Sequence, residues 1–173
     1  YKDKIENIVI AEPLLGEVGN DATVINADKE AVAKAVVAAA EADGNFESMA
    51  KAAEEGTALV LMGHGTAHVA KVTYSQMQTQ MNELGYKNVF IGTVEGEPEE
   101  TSCESVIEAV KAAGYTKVVL RPLMVVAGDH ANNDMAGADE DSWKSMMEAA
   151  GLTTECQIAG LGRIDAVQAL YVA

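Results

Sequence analysis

From residue 57 onward, short apolar runs alternate with longer stretches in which apolar residues recur at helical spacing. The first three runs have no regular polar alternation, which is typical of strands that are covered on both faces of a sheet. The longer stretches have the periodicity of amphipathic helices. The pattern predicts four strands, at residues 57–62, 88–93, 117–126 and 153–159.

Three helices are predicted between these strands, and each is followed at once by a glycine. Glycine directly after a helix commonly adopts the left-handed conformation that ends it. The helices are predicted at residues 74–84, 101–113 and 141–150, before Gly85, Gly114 and Gly151. Thr101 and Glu104 have the spacing of a capping box at the start of the second helix. Strand–helix–strand units with short loops favour right-handed crossovers, so we expect an α/β fold with a mainly parallel sheet.

Residues 1–56 have a different pattern. It predicts a strand over residues 6–11, a loop through Pro13, and a helix over 28–42 with Asp28 as its N-cap. One strand and one or two helices cannot bury a core alone, so this segment either extends the same sheet or belongs to a neighbouring domain. Because the sequence opens at Tyr1 without an initiator Met, we expect the true N-terminus to lie upstream. The predicted organisation is the tail of an N-terminal α/β domain with connecting helices, residues 1–56, followed by a C-terminal α/β domain, residues 57–173.

The composition and net charge of the chain exclude some classes of partner. The 173 residues carry a formal net charge of −15, and 49% of them are hydrophobic, which is a globular composition. Such a charge repels phosphate backbones and anionic lipid surfaces, so we expect no nucleic-acid partner and no membrane partner. Cys103 and Cys156 lie far apart and are interpreted as unpaired thiols, which leave the compartment open. A cytoplasmic protein is the default expectation, with the periplasm and a homo-oligomeric state left open.

All three histidines fall in loops that follow predicted strands, together with several carboxylates. His64 and His68 follow the first strand, Glu95 follows the second, and His130 follows the third. Ligands of parallel α/β sheets bind beyond the carboxyl ends of the strands, where these loops meet. Imidazole suits Co, Ni, Fe and Zn. The sequence therefore predicts a divalent-metal site at this edge of the sheet.

Other interpretations of the same residues are weaker. The Gly63–Gly65 turn resembles a phosphate-binding loop, but the third glycine of that motif is replaced by His68. His64 and His68 have the outer spacing of the HExxH zinc motif, but no glutamate lies between them.

Methionine and tryptophan are interpreted chiefly as packing residues. Met124 is the exception, since it is open to contact with a flat hydrophobic ligand. The acidic stretch that includes Asp134 and Asp141 precedes the third helix, where negative charge complements the helix dipole, and metal delivery is the alternative role. The methionines interpreted as core side chains are Met77, Met81, Met135, Met146 and Met147, with Trp143 as a packing anchor.

In these loops the sequence resembles the class II chelatases of tetrapyrrole synthesis, in particular the anaerobic sirohydrochlorin cobaltochelatases of the cobalamin pathway. The resemblance covers residues 57–173 and, more loosely, the segment around Pro13. Its motifs are MGHGTAH (62–68) with Tyr74, FIGTVEGEP (90–98), RPLMVVAGDHANNDM (121–135), DSWK (141–144), GLGRI (160–164) and QALYV (168–172). Arg163 departs from the family pattern, where an acidic or neutral residue is expected.

The resemblance implies a chelatase-like three-layer sandwich of which this chain is the C-terminal half, with the active site in a cleft shared with an N-terminal half. It implies a metal chelatase of the lyase class that inserts Co²⁺ into sirohydrochlorin without ATP and without an organic cofactor. His64, Glu95 and His130 would bind the metal, and His64 and Glu95 would also be catalytic. His68 and the backbone of Val126, Ala127 and Gly128 would contact the tetrapyrrole.

Elementary chemistry agrees with that assignment, because insertion removes water from the metal and two protons from pyrrole nitrogens. Neutral imidazole can be both ligand and proton acceptor. Insertion of Fe²⁺ for sirohaem, use of Ni²⁺, and tetrapyrrole or metal binding without turnover are the alternatives. The polyanionic substrate needs cationic partners, for which Lys71, Arg121 and Lys144 are candidates.

Overall fold

The computed structural model describes residues 7–172. Four strands and six α-helices form one α/β sandwich. In chain order they are α1 (Ala27–Asp43), α2 (Met49–Glu54), β1 (Thr57–Gly63), α3 (Val72–Glu83), β2 (Val89–Thr93), α4 (Cys103–Ala112), β3 (Lys117–Pro122), α5 (Trp143–Ala149), β4 (Thr153–Cys156) and α6 (Asp165–Tyr171). Short 3-10 turns lie at Val69–Lys71, Glu99–Thr101 and Leu161–Arg163, and a π turn lies at Ala131–Met135. None of these helices combines the length and apolar composition that a membrane crossing requires.

The four strands form one parallel sheet in the order β2-β1-β3-β4, which confirms the predicted architecture. Strand β1 is central and every one of its residues is buried. Val60 pairs with Phe90 of β2 on one side and with Leu120 of β3 on the other. Because the strands are parallel, the loops after β1, β2 and β3 all leave the sheet at the same edge.

Alternate residues of β1 face two separate cores, which makes the sandwich three layers thick. Leu59 and Leu61 pack on one side with helices α1, α2, α3 and α6. Val60 and Met62 pack on the other side with α4, α5 and the π turn. Helices α1 and α2 thus share a core with the sheet, while the assignment of residues 1–56 to a preceding domain stays a prediction. Of the methionines interpreted as core side chains, Met77, Met81, Met135 and Met147 are buried, and Trp143 is buried with the last two, whereas Met146 is only partly buried.

The helix ends agree with the glycine signals but not with the predicted N-caps. Gly85, Gly114 and Gly151 all have positive φ angles just beyond their helices. Helix α1 is capped by the side chain of Asn26, not by Asp28. Helix α4 is capped by Ser102.

Thr101 does not form the predicted capping box, because its hydroxyl is used elsewhere. The Thr101 hydroxyl is buried and donates to the carbonyl of Pro98 at 2.6 Å, and it shares a hydrogen bond of 2.7 Å with the Thr93 hydroxyl. The residue therefore ties the loop after β2 to the end of that strand.

One predicted strand is not formed among the described residues, and two others end earlier than predicted. Residues 7–11 form no strand, although their sequence is apolar, and Val9 and Ile10 are each 90% exposed. Glu6, the first residue of the predicted strand, lies outside the described residues. Strand β3 ends at Pro122, four residues early, and the chain then bends so that the Met124 and Val125 carbonyls accept from Leu161 and Gly162. Strand β4 ends at Cys156, three residues early.

Candidate metal and substrate site

His64 leaves the sheet directly after β1, on a loop that a tyrosine supports. The Gly65 amide donates to the Tyr74 hydroxyl at 3.0 Å. The ring of Tyr74 packs so closely on Gly63 that a Cβ there would lie 2.4 Å from its Cε1 atom. Glycine is favoured at position 63 because a side chain there would collide with the Tyr74 ring. It is favoured at Gly65 because a φ of +93° is strained for other residues. Together these residues fix the direction in which the chain presents His64.

The structure brings His64 and His130 into contact, although they follow different strands. Their ring centroids lie 4.7 Å apart and their planes meet at 82°, an edge-to-face arrangement. Both residues belong to the loops in which the sequence predicted a metal site. Two of the three predicted ligands are therefore adjacent.

Both imidazoles are held through Nδ1. His64 Nδ1 lies 2.9 Å from the Gly65 carbonyl oxygen, which can only accept, so Nδ1 carries the proton. His130 Nδ1 lies 2.5 Å from the Asp134 carboxylate and donates to it in the same way. In the neutral ring the lone pair then sits on Nε2. Each histidine can offer that Nε2 to a cation or to a proton.

Asp134 is a site residue that the sequence interpretation missed. Its carboxylate orients His130, as carboxylates commonly orient metal-binding histidines. The usable signal was the four-residue spacing from His130 to Asp134, which places both on one side of a helical turn. The acidic stretch is assigned from the sequence to the dipole of the following helix, with metal delivery as the alternative, and no contact of Asp134 with His130 is predicted.

Glu95 is tied to the histidine loop by its backbone. Its amide donates to the His64 carbonyl at 2.9 Å, and the Val94 amide donates to the Gly63 carbonyl at 3.0 Å. Among residues 7–172, no three side chains of His, Cys, Asp or Glu converge closely enough to hold a metal ion. The carboxylate of Glu95 is thus not joined to the imidazole pair, and its ligand role stays a prediction.

Glu95 instead lines an acidic cleft of about 570 Å³ beside the histidine loop. Trp143 and Cys103 form part of its wall. Burial raises the pKa of the Cys103 thiol to about 12, with a smaller contribution from Glu104, so the thiol is protonated at neutral pH in the metal-free chain. The other carboxylates that line the acidic cleft are Glu104, Glu140 and Asp141.

His68 differs from the other two histidines in its hydrogen bonding. It is exposed at the start of a 3-10 turn, and its Nδ1 accepts from the Ala70 amide at 3.1 Å. The proton of the neutral ring therefore sits on Nε2, which makes His68 a hydrogen-bond donor toward solvent. That tautomer can donate to an acceptor atom of a ligand, and the predicted contact of His68 with the tetrapyrrole stays a prediction.

The predicted substrate-binding segment follows the bend after β3. Val126 is 72% exposed, and with Ala127 it lines a cleft of about 370 Å³. A Cβ at Gly128 would meet open space, so close packing does not demand glycine there. The Gly128 carbonyl accepts from the Asn132 side chain at 2.7 Å. The role of this segment in substrate binding stays a prediction.

A third cleft, apolar and about 470 Å³ in volume, lies between residues 13–18 and the loops after β1 and β3. Met124 lines it, as does Tyr74. Residues 13–18 lack secondary structure and are held by polar side chains. Lys29 Nζ donates to the Leu15 and Glu17 carbonyls at 2.9 and 2.8 Å, and Gln76 Nε2 donates to the Val18 carbonyl. Nothing in the sequence indicates that residues 13–18 line this cleft, apart from the resemblance of the Pro13-Leu14-Leu15 segment to the chelatase family.

Two of the candidate cations are already engaged. Lys71 forms an ion pair of 2.7 Å with Glu97, which joins the loops after β1 and β2. The Arg121 side chain is only 2% exposed and donates to Asp43 at 2.6 Å and to Gln157 at 2.8 Å. Arg121 is therefore a buried structural cation, which corrects its interpretation as a substrate-binding candidate.

The chain is similar to known proteins. A family model described as "Cobalt chelatase (CbiK)" matches residues 1–173. A Salmonella typhimurium protein named sirohydrochlorin cobaltochelatase is 41% identical over 115 residues, which make up 66% of this chain and 42% of that protein. A Nitratidesulfovibrio vulgaris protein named sirohydrochlorin cobaltochelatase CbiKC is 39% identical over 95 residues, or 55% of this chain and 32% of that protein. The chain thus spans less than half the length of these curated relatives. Because the family model matches along the whole sequence, the chain belongs to the cobalt chelatase family.

Proposed function

We propose that the chain acts in the ATP-independent insertion of Co²⁺ into sirohydrochlorin. Membership of the cobalt chelatase family and the names of the two relatives support this proposal. The observation that carries it is the contact between His64 and His130 at the carboxyl edge of the sheet. Imidazole nitrogen is a ligand that suits Co²⁺, and a site with few protein ligands leaves coordination positions for the macrocycle nitrogens.

The proposed reaction exchanges two pyrrole N–H protons of the macrocycle for one divalent cation. The only free lone pair of His64 is on Nε2, so its two roles follow one another: it would first bind the incoming Co²⁺, and then accept the first pyrrole proton once the macrocycle nitrogens have taken over the ion. His130, opposite and oriented by Asp134, holds the cation through its own Nε2. The macrocycle nitrogens take over the coordination as two protons leave through imidazole to water, so charge is conserved. Transfer to a positioned base typically accelerates such steps by about 10²–10⁴-fold.

Glu95 is the proposed third ligand. A carboxylate oxygen offsets the charge of the cation, and the Glu95 backbone is already bonded to that of His64. The acidic cleft that Glu95 lines concentrates cations next to the imidazole pair by electrostatic attraction. His68 would donate to a substrate carboxylate, and Val126 and Ala127 would contact the macrocycle.

The test mixes the purified 173-residue chain with sirohydrochlorin and Co²⁺ under anaerobic conditions and follows the absorption spectrum of the pigment. We expect insertion faster than in a protein-free control, and a loss of about 10²-fold or more in His64→Ala. Insertion by His64→Ala at the parent rate would contradict the assignment of the base. Parallel runs with Fe²⁺ and Ni²⁺ identify the preferred metal. Tight pigment binding without faster insertion would instead favour a non-catalytic tetrapyrrole-binding protein.

A further inference from the structure

The sequence contains two arginines, and they have opposite environments. Arg121 is buried and bound to Asp43 and Gln157. Arg163 is exposed, and within residues 7–172 no carboxylate pairs with it. Arg163 is thus a cation available to an external anion.

The fold fixes Arg163 beside the loop that leads to His130. Arg163 ends the 3-10 turn Leu161–Arg163, whose Leu161 and Gly162 amides donate to the Met124 and Val125 carbonyls at 2.8 and 2.9 Å. The contact is close, since a Cβ at Gly160 would lie 2.5 Å from the Val125 oxygen. The position of Arg163 relative to Val126 and Ala127 is therefore set by backbone hydrogen bonds.

Arg163 shares the cleft of about 370 Å³ with the predicted substrate-binding segment. The rest of the described lining is apolar or glycine, and Arg163 is its one charged residue. Val125 and Ile158 are partly exposed there and Val126 largely so, which leaves an apolar surface next to a single cation. Such a surface matches an apolar ring that carries a carboxylate at its rim.

We propose that Arg163 binds a peripheral carboxylate of the tetrapyrrole while Val125 and Val126 contact the ring. The inference rests on the proposed function and names the cation that a polycarboxylate substrate needs. The planar guanidinium fits a carboxylate with two parallel hydrogen bonds. Charges beyond about 8 Å are largely screened at physiological salt, so a local cation outweighs the distant acidic residues.

The test measures the affinity of the 173-residue chain for metal-free sirohydrochlorin and for its fully methylated ester, by titration of the pigment spectrum. Arg163→Gln should weaken binding of the acid about tenfold and leave binding of the ester unchanged, since the ester carries no carboxylate. Arg163→Lys should recover part of the loss. Unchanged ester binding also shows that the variant is folded.

Lys117→Gln is the matched control, because it removes the same charge from an exposed position at the opposite edge of the sheet. We expect it to bind both pigments like the parent. Equal losses in Arg163→Gln and Lys117→Gln, a loss for the ester too, or no loss in Arg163→Gln would each overturn the role of Arg163. A parent chain that binds neither pigment would overturn the proposed function itself, which is a distinguishable result.

Discussion

The imidazoles of His64 and His130 meet edge to face with ring centroids 4.7 Å apart, and each is held by a hydrogen bond from its own Nδ1. The contact joins the loop after β1 to the loop after β3, the two strands that pair along most of their length. The two supports differ in strength. His64 donates to a neutral carbonyl, whereas His130 donates to a carboxylate, which is the stronger hydrogen bond and orients the ring more firmly.

The first prediction concerns Asp134. Asp134→Asn should weaken Co²⁺ binding by about 10–100-fold, because the amide supports the His130 ring less strongly than the carboxylate. Titration of the metal-free chain with Co²⁺, followed by the absorption of the bound ion, measures the change. Asp129→Asn is the control, since Asp129 is exposed and bonds only the Asn133 side chain among the described residues. A similar loss in both variants would indicate a general effect of charge.

The second prediction concerns the turn that carries His64. Gly65 has a φ of +93°, and an added Cβ would lie 2.8 Å from the Glu95 Cβ. Gly65→Ala should therefore lower the free energy of unfolding by about 1–3 kcal/mol and slow metal insertion, as it pushes the loops of His64 and Glu95 apart.

Gly85→Ala is the matched control for this variant. Gly85 has a similar φ of +83°, but an added Cβ there meets nothing within 4 Å. Gly85→Ala should therefore show only the cost of placing alanine at a positive φ, and it should insert the metal at the parent rate. Urea denaturation and the insertion assay on both variants separate the two effects. Equal insertion rates in both variants would argue against a role of this contact in the site.

The sequence pattern predicted the sheet well because its strands are buried on both faces and its helices end at glycines. Burial of β1 on both faces makes an unbroken apolar run, and each glycine after a helix has the positive φ that other residues avoid. Strand β3 was predicted too long for the same reason. Its apolar run continues through Val126, but the chain bends after Pro122 to meet the Leu161–Arg163 turn, a long-range contact that local pattern does not encode.

The loops that form the candidate site could be predicted from the sequence, but the contacts of their side chains could not. Parallel strands bring His64, Glu95 and His130 to one edge whatever the rotamers are. The partners that orient them come from hydrogen bonds that depend on tertiary detail. Asp134 reaches His130 through a π turn, and residues 13–18 are held at the cleft by side chains that are distant in sequence, among them Lys29 and Gln76.

The third prediction concerns Cys103. Burial raises the pKa of its thiol to about 12, so at about pH 8 it has roughly a thousandfold less thiolate than an exposed cysteine. In a Cys156→Ser variant, where Cys103 is the remaining thiol, modification by a thiol reagent should be slow in the native chain and fast in urea. Absorbance of the released chromophore measures both rates. Fast modification of the native variant would contradict the burial of Cys103.

The last prediction concerns the pH dependence that Lys29 gives to stability. Its side chain is fully buried, and its ammonium donates to the carbonyls of Leu15 and Glu17. Burial lowers the pKa of Lys29, an effect that nearby Asp28 partly opposes. Between this lowered pKa and the ordinary value of 10.5, the unfolded chain binds more protons than the folded chain. The contribution of Lys29 to stability must therefore rise with pH in that window and be constant below it.

Comparison with Lys29→Met isolates this contribution. The free energy of unfolding of the parent minus that of Lys29→Met should be larger at about pH 10 than at neutral pH, as measured by urea denaturation. Lys34→Met serves as control on the same helix. Lys34 is exposed and hydrogen-bonded to Glu30, which raises its pKa above the ordinary value of 10.5, so its contribution should stay constant between neutral pH and about pH 10 and fall only at higher pH. Because a neutral amine still has two N–H donors for two carbonyls, residues 13–18 stay attached when Lys29 loses its proton. If the free energy of unfolding of the parent minus that of Lys29→Met stays constant or falls as pH rises, then the ammonium is not desolvated in the folded chain.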